Sequence, residues 1–177
     1  MEKSKINSAK IFLLALKNQE LKELCKNYKI KGFSGLNKDE LIVLLLKSIP
    51  KLTFEDFLEK IRKKVLNEML SVIPKYFLPN NPTILNSLNY DEYNQLLELN
   101  FKGFSWNITT ILRFLNLFEK SEPLEFNSKC TCEYYKKGGI CSHIWTGIIW
   151  IFQKFSISPI RWKDHKLPEL ASELINS

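Results

Sequence analysis

The stretch that decides the fold runs from residue 124 to residue 155 and reads LEFNSKCTCEYYKKGGICSHIWTGIIWIFQKF. Its first half is rich in aromatic and turn-forming residues, which predicts two short strands around a turn from Lys136 to Gly139. Its second half is apolar nearly all round, which predicts a buried helix. We therefore expect this segment to fold as a small β-hairpin followed by a helix.

Three cysteines and a histidine in this segment have the spacing of metal ligands. Because residues i and i+2 of a strand point to the same side, Cys130 and Cys132 can present two thiolates to one point. The turn brings the chain back so that Cys141, and His143 on the first turn of the helix, complete a tetrahedral set. The pattern predicts a Cys3His metal site.

Zinc is the metal that this ligand set favours, since sulfur and imidazole ligands in a Cys3His arrangement select it. The protein supplies all four ligands, so we expect one structural Zn²⁺ with no coordination position left for a catalytic water. Lys129, Lys136 and Lys137 lie close to the ligands in sequence and offset the negative charge of three thiolates. Iron–sulfur ligation and a cluster without any metal are the alternatives.

The order Cys-x-Cys, a short spacer, Cys-x-His and an apolar helix resembles the SWIM zinc finger, here Cys130, Cys132, Cys141 and His143 followed by IWTGIIWIF. The resemblance covers residues 124–155. It implies a zinc module of two strands and a helix, of the kind found in chromatin remodellers, transposases and partners of recombinase paralogues. Because this module also serves as a protein-binding surface, the resemblance leaves both DNA and protein open as ligands.

A second motif lies at residues 20–46, ELKELCKNYKIKGFSGLNKDELIVLLL. Apolar residues recur with helical spacing on both sides of a linker that contains Gly32 and Gly35, which predicts two helices joined by an extended loop. This arrangement resembles the SAP motif and its relative at the amino terminus of the Rho termination factor. The resemblance is carried by Leu21, Leu24, Gly32, Gly35, Lys38, Leu41 and Ile42.

Lysines in this motif are candidate phosphate contacts. Lys26, Lys29 and Lys31 surround the start of the loop, and Lys38 opens the second helix, where backbone amides also favour an anion. The alternative is that the apolar residues fill a small helical core, with Cys25 among them, while the lysines are merely solvated. Contacts of this kind would give affinity without reading bases.

Base and aromatic residues alternate again near the carboxy terminus. Arg161 and Lys163 flank Trp162, a composition that suits a stacked single strand, so both are candidate nucleic-acid contacts. Trp162 suits packing onto the zinc module equally well. The basic residues Lys60, Arg62, Lys63 and Lys64 instead read as a solvated helix face.

We predict a mainly α fold with a small zinc-bound β-hairpin. The expected domains are a SAP-like or Rho-N-like helical motif (1–50), a helical middle region (51–123) and a SWIM-like ββα zinc module with a tail (124–177). Helices are predicted in the middle region at FEDFLEKIRKKVLNEMLSVI (54–73), YDEYNQLLEL (90–99) and WNITTILRFLNLFEK (106–120). The repeat of Lys-Gly-Phe-Ser at 31–34 and 102–105 is read as chance similarity.

The charge distribution favours an anionic partner. The 177 residues contain 26 basic and 19 acidic side chains, a net charge of +7. Residues 1–75 hold 16 basic and 9 acidic residues, residues 76–128 hold 3 and 6, and residues 129–166 hold 7 and 2. Two basic segments that flank an acidic one favour nucleic acid, although charged helix faces are also commonly just solvated.

Other classes of protein fit the sequence poorly. The apolar runs are too short for a membrane span, and the amino terminus lacks the features of a signal peptide, so an intracellular location is expected, in the cytoplasm, nucleoid or nucleus. The sequence contains no carboxylate pair, nucleophile motif or phosphate-binding loop, so neither an enzyme nor a small-molecule substrate is expected. The expectation is a non-enzymatic, zinc-binding DNA accessory protein of recombination, repair, transposition or chromatin; the alternative is an adaptor whose zinc module docks a protein such as a recombinase paralogue.

Overall fold

The computed structural model describes residues 3–78, 80–119, 122–158, 161–162 and 168–176. The chain divides into two compact units, Met1–Leu66 (unit 1) and Asn67–Ser177 (unit 2). None of the helices in the described ranges has the length and the apolar character that a membrane span requires.

Unit 1 is helical. Its helices are α1 (Lys3–Ala15), α2 (Asn18–Asn27), α3 (Lys38–Ser48) and the first part of α4 (Phe54–Ser71), which follows a 3₁₀ turn at Lys51–Thr53. The predicted pair of helices on either side of the glycine-containing loop is present as α2 and α3. Asn37 caps α3, because its side chain accepts from the amide of Glu40 while the Glu40 carboxylate accepts from the amide of Asn37.

Apolar side chains from these helices form the core of unit 1. Cys25 is fully buried among them, in agreement with its prediction as a core residue rather than a metal ligand. The largest fully buried side chains are Leu13, Leu16, Leu21, Leu41, Ile42, Leu45, Phe54 and Phe57. Tyr28 packs edge-on against Phe57 at 5.2 Å, so the end of α2 is held against α4.

Unit 2 is built on a four-stranded antiparallel sheet. Its strands are β1 (Ile84–Asp91), β2 (Leu96–Lys102), β3 (Asn107–Phe114) and β4 (Phe126–Cys130), in the order β1-β2-β3-β4. The helices that follow are α5 (Glu133–Lys136), α6 (Ser142–Lys154) and α7 (Glu169–Asn176), and a 3₁₀ turn at Pro74–Phe77 precedes the sheet. The architecture is therefore mixed helix and four-stranded antiparallel sheet, with more sheet than the small β-hairpin that was predicted.

The helices predicted at 90–99 and 106–120 are wrong, since these residues form most of the β1–β2–β3 meander. Ile108, Ile111 and Leu112 have the i, i+3, i+4 spacing of a helix face. Along β2, however, burial alternates strictly, with Leu97, Leu99 and Phe101 inward. Gln95, at φ 49°, completes the tight turn between β1 and β2. β-branched Ile108, Thr109, Thr110 and Ile111 then favour a strand.

The predicted hairpin around residues 136–139 is also wrong. Its first strand is present as β4, but β4 pairs with β3, and Glu133–Lys136 forms a single helical turn. Among the described residues from 131 to 141, none is in a strand. A glycine pair after two lysines therefore ends a short helix here and does not close a hairpin; the positive φ of Gly138 (93°) is the point of reversal.

The predicted buried helix is confirmed as α6, which covers the apolar face of the sheet. Gly147 allows the close approach: a Cβ at this position would lie 2.6 Å from a methyl carbon of Leu112 and 2.8 Å from one of Leu99. The first turn of α6 reaches the end of the sheet where β4 terminates, because Cys130 and His143 lie side by side there. The sheet and α6 thus determine where the cysteine cluster is placed.

Candidate metal centre

Three successive elements position the four predicted ligands. Cys130 ends β4, Cys132 is the N-cap of α5, Cys141 is the N-cap of α6 and His143 lies in the first turn of α6. All four side chains are buried, and their ligand atoms lie within 4.8 Å of one another. The structure thus brings together every residue that the sequence assigned to the metal.

The size of the cluster fits a tetrahedral metal ion. Bonds of about 2.3 Å to sulfur and about 2.0 Å to nitrogen place the ligand atoms of tetrahedral zinc about 3.5–3.8 Å apart. The Sγ of Cys130 lies 3.9 Å from Nδ1 of His143. Three sulfur atoms and one imidazole that all lie within 4.8 Å of one another could coordinate one zinc ion.

Hydrogen-bond donors surround the sulfur atoms. The hydroxyl of Thr110, on β3, donates to Sγ of Cys130 at 3.2 Å, and the amide of Tyr135 donates to Sγ of Cys132 at 3.4 Å. The amide of Ile144 donates to Cys141. Since each donor offsets part of a thiolate's negative charge, each sulfur has a partner that stabilises its ligating form.

The cysteines and the histidine of the cluster shift one another's pKa values. Hydrogen bonds from Cys132 and Cys141 hold the pKa of Cys130 well below its usual range, and the same interactions with Cys130 and Cys132 raise the pKa of Cys141. Burial alone would lower the pKa of His143, but its interactions with Cys130 and Cys132 outweigh burial and raise that pKa to about 9. Cys130 is thus held as a thiolate, the form of cysteine that ligates a metal ion.

Aromatic side chains from distant parts of the chain hold the imidazole. Tyr76 stacks on His143 at 5.5 Å with an interplanar angle of 18°, and Phe101, on β2, meets it edge-on at 4.6 Å. The Tyr76 hydroxyl lies 2.7 Å from Oγ of Ser142. Sequence reasoning missed Tyr76, Phe101 and Thr110, because nothing in their spacing relates them to the ligands; only correct strand assignment places Phe101 and Thr110 on the inner face.

We expect Thr110→Val to weaken zinc binding by about 10- to 100-fold, because Cys130 loses its hydroxyl donor while the shape of the buried side chain is kept. Competition with a chromophoric chelator measures the affinity. Thr109→Val is the matched control, since the Thr109 hydroxyl donates to Asn100 on the other face of the sheet. Equal zinc affinity in the two variants would contradict a role for Thr110 at the metal centre.

The lysines assigned to phosphate binding differ in their surroundings. Lys26, Lys29 and Lys31 are exposed, and Lys29 adopts a left-handed backbone conformation directly after α2 (φ 54°). Lys38 is half-buried, and its Nζ donates to the backbone carbonyl of Leu14 at 2.8 Å. Three of the four predicted lysines are therefore exposed to solvent around the start of the loop. Lys38 instead connects α3 to the end of α1 through its hydrogen bond.

The two predicted contacts near the carboxy terminus have a different outcome. Arg161 is 8% exposed, and its guanidinium donates to three backbone carbonyls, those of Asn116, Leu117 and Glu122. Trp162 packs against Trp145 at 5.1 Å, which is the second of its two predicted alternatives. Lys163 lies outside the described residues. Arg161 thus ties its segment to the loop after β3.

Comparisons with known proteins give no relative: no protein-family model, curated protein or solved structure matches the chain. The arrangement of the described residues is thus the evidence on which a function can be argued.

Proposed function

We propose that this chain is a non-enzymatic, zinc-stabilised nucleic-acid-binding accessory protein, with DNA as its favoured partner. The observation that carries the proposal is the buried Cys3His cluster of unit 2. The nucleic-acid-binding part of the proposal is supported by the exposed lysines at the helix–loop–helix of unit 1.

The zinc would be structural. All four coordination positions are filled by side chains, which leaves no site for a substrate or an activated water. One ion would join the end of β4, the start of α5 and the start of α6. Short irregular loops connect these elements along the chain. The ligand order and the following apolar helix resemble the SWIM zinc finger, and this resemblance supports an accessory role in recombination, repair, transposition or chromatin.

The nucleic-acid surface would lie at the end of α2 and in the loop that follows it. Lys26, Lys29 and Lys31 stand within a short stretch without an acidic residue, so their charges add. Lysines of this kind bind phosphate as mobile point charges and give affinity without sequence preference. The helix–loop–helix frame resembles the SAP motif, which supports DNA as the partner.

A salt titration tests this surface. We expect DNA affinity to fall with rising salt, and the triple variant Lys26→Ala, Lys29→Ala, Lys31→Ala to bind more weakly with a slope shallower by about one per lysine. Fluorescence anisotropy with labelled DNA over a range of salt concentrations gives both quantities. The control variant replaces Lys10, Lys60 and Lys63, which are also exposed in unit 1, and carries the same change of net charge. An identical loss in both variants would point to net charge alone, and absence of binding at low salt would refute the proposal.

A second candidate function is an interaction adaptor. It is favoured by two adjacent exposed apolar side chains in unit 2, Phe77 and Leu78. A pull-down with the zinc-loaded protein, with and without nuclease, separates the two functions. Partners that survive nuclease treatment and are lost in Phe77→Ser would favour the adaptor, whereas recovery that depends on intact nucleic acid favours the first proposal.

A further inference from the structure

The hairpin between β2 and β3 ends in a tip that presents two aromatic side chains to solvent, one of them fully exposed. Phe104 is 100% exposed, and its neighbour Trp106 is 42% exposed. The amide of Gly103 donates to the carbonyl of Trp106 at 2.8 Å, and Lys102 pairs with Asn107 at the base of the tip. The indole of Trp106 lies so close to Gly103 that no Cβ fits there. The loop is therefore closed by its own packing, and Phe104 projects from it.

The composition of this tip separates it from the other hairpin of the sheet. Tyr93, at the turn between β1 and β2, is 95% exposed, but Asp91 and Glu92 precede it. The tip of β2–β3 contains Lys102 and no acidic residue. The exposed Tyr93 thus lies beside negative charge, whereas the exposed Phe104 and Trp106 lie beside positive charge. Only the second of these surroundings is suited to a polyanion.

Polar groups extend from this tip along the outer face of the sheet. The face opposite α6 carries Asn100 and Thr109, whose side chains are hydrogen-bonded to each other at 2.9 Å, and Asn100 also donates to Ser87. Lys129 is exposed on the same face, across from Ile111. Amides, hydroxyls and lysines of this kind can pair with base edges and phosphates.

The surroundings of Phe104 favour nucleic acid over protein. An aromatic hot spot in a protein interface is normally ringed by apolar contacts that exclude water. Phe104 and the partly exposed Trp106 are flanked instead by Lys102, Ser105 and Asn107, all exposed and polar. A base stacks on one ring face and leaves the polar rim free for the sugar and phosphate, so an exposed ring with polar flanking residues suits a base.

We infer that the tip of the β2–β3 hairpin binds single-stranded nucleic acid by stacking an unpaired base on Phe104, with Lys102 at the adjoining phosphate. The inference rests on the proposed nucleic-acid function and adds to it a site in unit 2 and a preference for single strands. Bases in a duplex are already stacked on one another, so an exposed ring gains a partner mainly from a single strand. The end of the sheet that carries this tip is also the end where Cys130 lies, because Thr109 and Thr131 are joined there by hydrogen bonds.

The test compares full-length, zinc-loaded variants by fluorescence anisotropy, with a labelled oligothymidylate and a mixed-sequence duplex of equal length as probes. We expect Phe104→Ala to weaken oligothymidylate binding by about 5- to 100-fold with an unchanged salt slope, because it removes a stacking contact and no phosphate contact. Phe104→Trp keeps an aromatic ring at this position and should bind the oligothymidylate like the wild type. Tyr93→Ala is the matched control and should bind like the wild type.

Each other outcome has a definite meaning. If the wild type binds the oligothymidylate and Phe104→Ala binds it equally well, the stacking site is refuted and the lysine surface of unit 1 stands. If the wild type binds neither probe, the proposed function itself fails. An equal loss on both probes would refute the preference for single strands. A wild-type self-association that Phe104→Ala disperses, with unchanged oligothymidylate affinity, would assign the tip to a protein contact and refute the inference.

Discussion

Replacing Cys141 with serine is expected to abolish zinc binding and to unfold the metal end of unit 2. Cys141 is 3% exposed, occupies the N-cap position of α6 and is one of the four predicted ligands, and a serine hydroxyl is a poor ligand for zinc. Structural zinc contributes about 10–16 kcal/mol in zinc-finger peptides. Because the net stability of a domain is about 5–15 kcal/mol, loss of the ion removes most of it. Elemental analysis should give one zinc per wild-type chain and none in Cys141→Ser.

The control for this experiment is Cys25→Ser. Cys25 is buried in unit 1 on the inner side of α2, and it is not a member of the cluster. This variant should retain one zinc per chain even if unit 1 becomes less stable. The reverse pattern, or wild-type protein that contains no zinc after purification without chelator, would contradict the assignment of the ligands. Circular dichroism before and after chelation should show that unit 2 loses its cooperative thermal transition.

Replacing Phe101 with alanine is expected to destabilise unit 2 by about 3–5 kcal/mol. Phe101 is 1% exposed and packs edge-on against both His143 and Tyr76. Its removal leaves a cavity beside the ligand imidazole, so the loss includes the transfer free energy of the ring and the cost of the void. Denaturant unfolding of the zinc-loaded protein measures the free energy of unfolding, and the midpoint should fall without a change of slope.

Phe104→Ala is the matched control, since Phe104 lies in the same hairpin but is fully exposed. Its free energy of unfolding should stay within about 0.5 kcal/mol of the wild type. Phe101→Leu should recover part of the stability lost in Phe101→Ala, because leucine fills more of the cavity. A loss below about 1 kcal/mol in Phe101→Ala would show that the aromatic packing around His143 contributes little.

The Cys3His cluster was predictable because its four residues are local. Cys130, Cys132, Cys141 and His143 lie in one short segment, and the chemistry of sulfur and imidazole needs no knowledge of the fold. The apolar helix α6 and the cap at Asn37 were predictable for the same reason, since a continuous apolar run and a capping box are read within a few residues. In unit 1, helical periodicity matched the structure throughout α2 and α3.

The sheet was not predictable by the same means. The segments Leu96–Lys102 and Asn107–Phe114 have apolar residues at positions that satisfy helical and strand periods together, and their pairing partners decide between the two. β4 pairs with β3, which precedes it by more than ten residues in the chain. The predicted hairpin instead paired β4 with the segment that directly follows it in sequence. Tyr76, Phe101 and Thr110 contact His143 or Cys130. These contacts depend on the strand pairing and could not be predicted without it.

The position of α6 has a consequence for synthesis of the protein in the cell. All four strands leave the ribosome before α6 does, and until α6 arrives the inward leucines, Leu97, Leu99 and Leu112, have no cover. α6 in turn begins at two residues of the Cys3His cluster, Cys141 and His143. During synthesis there is therefore a brief period in which the apolar sheet lacks its covering helix α6 and the two cluster residues that α6 carries. We expect chains synthesised without zinc to aggregate through this uncovered sheet.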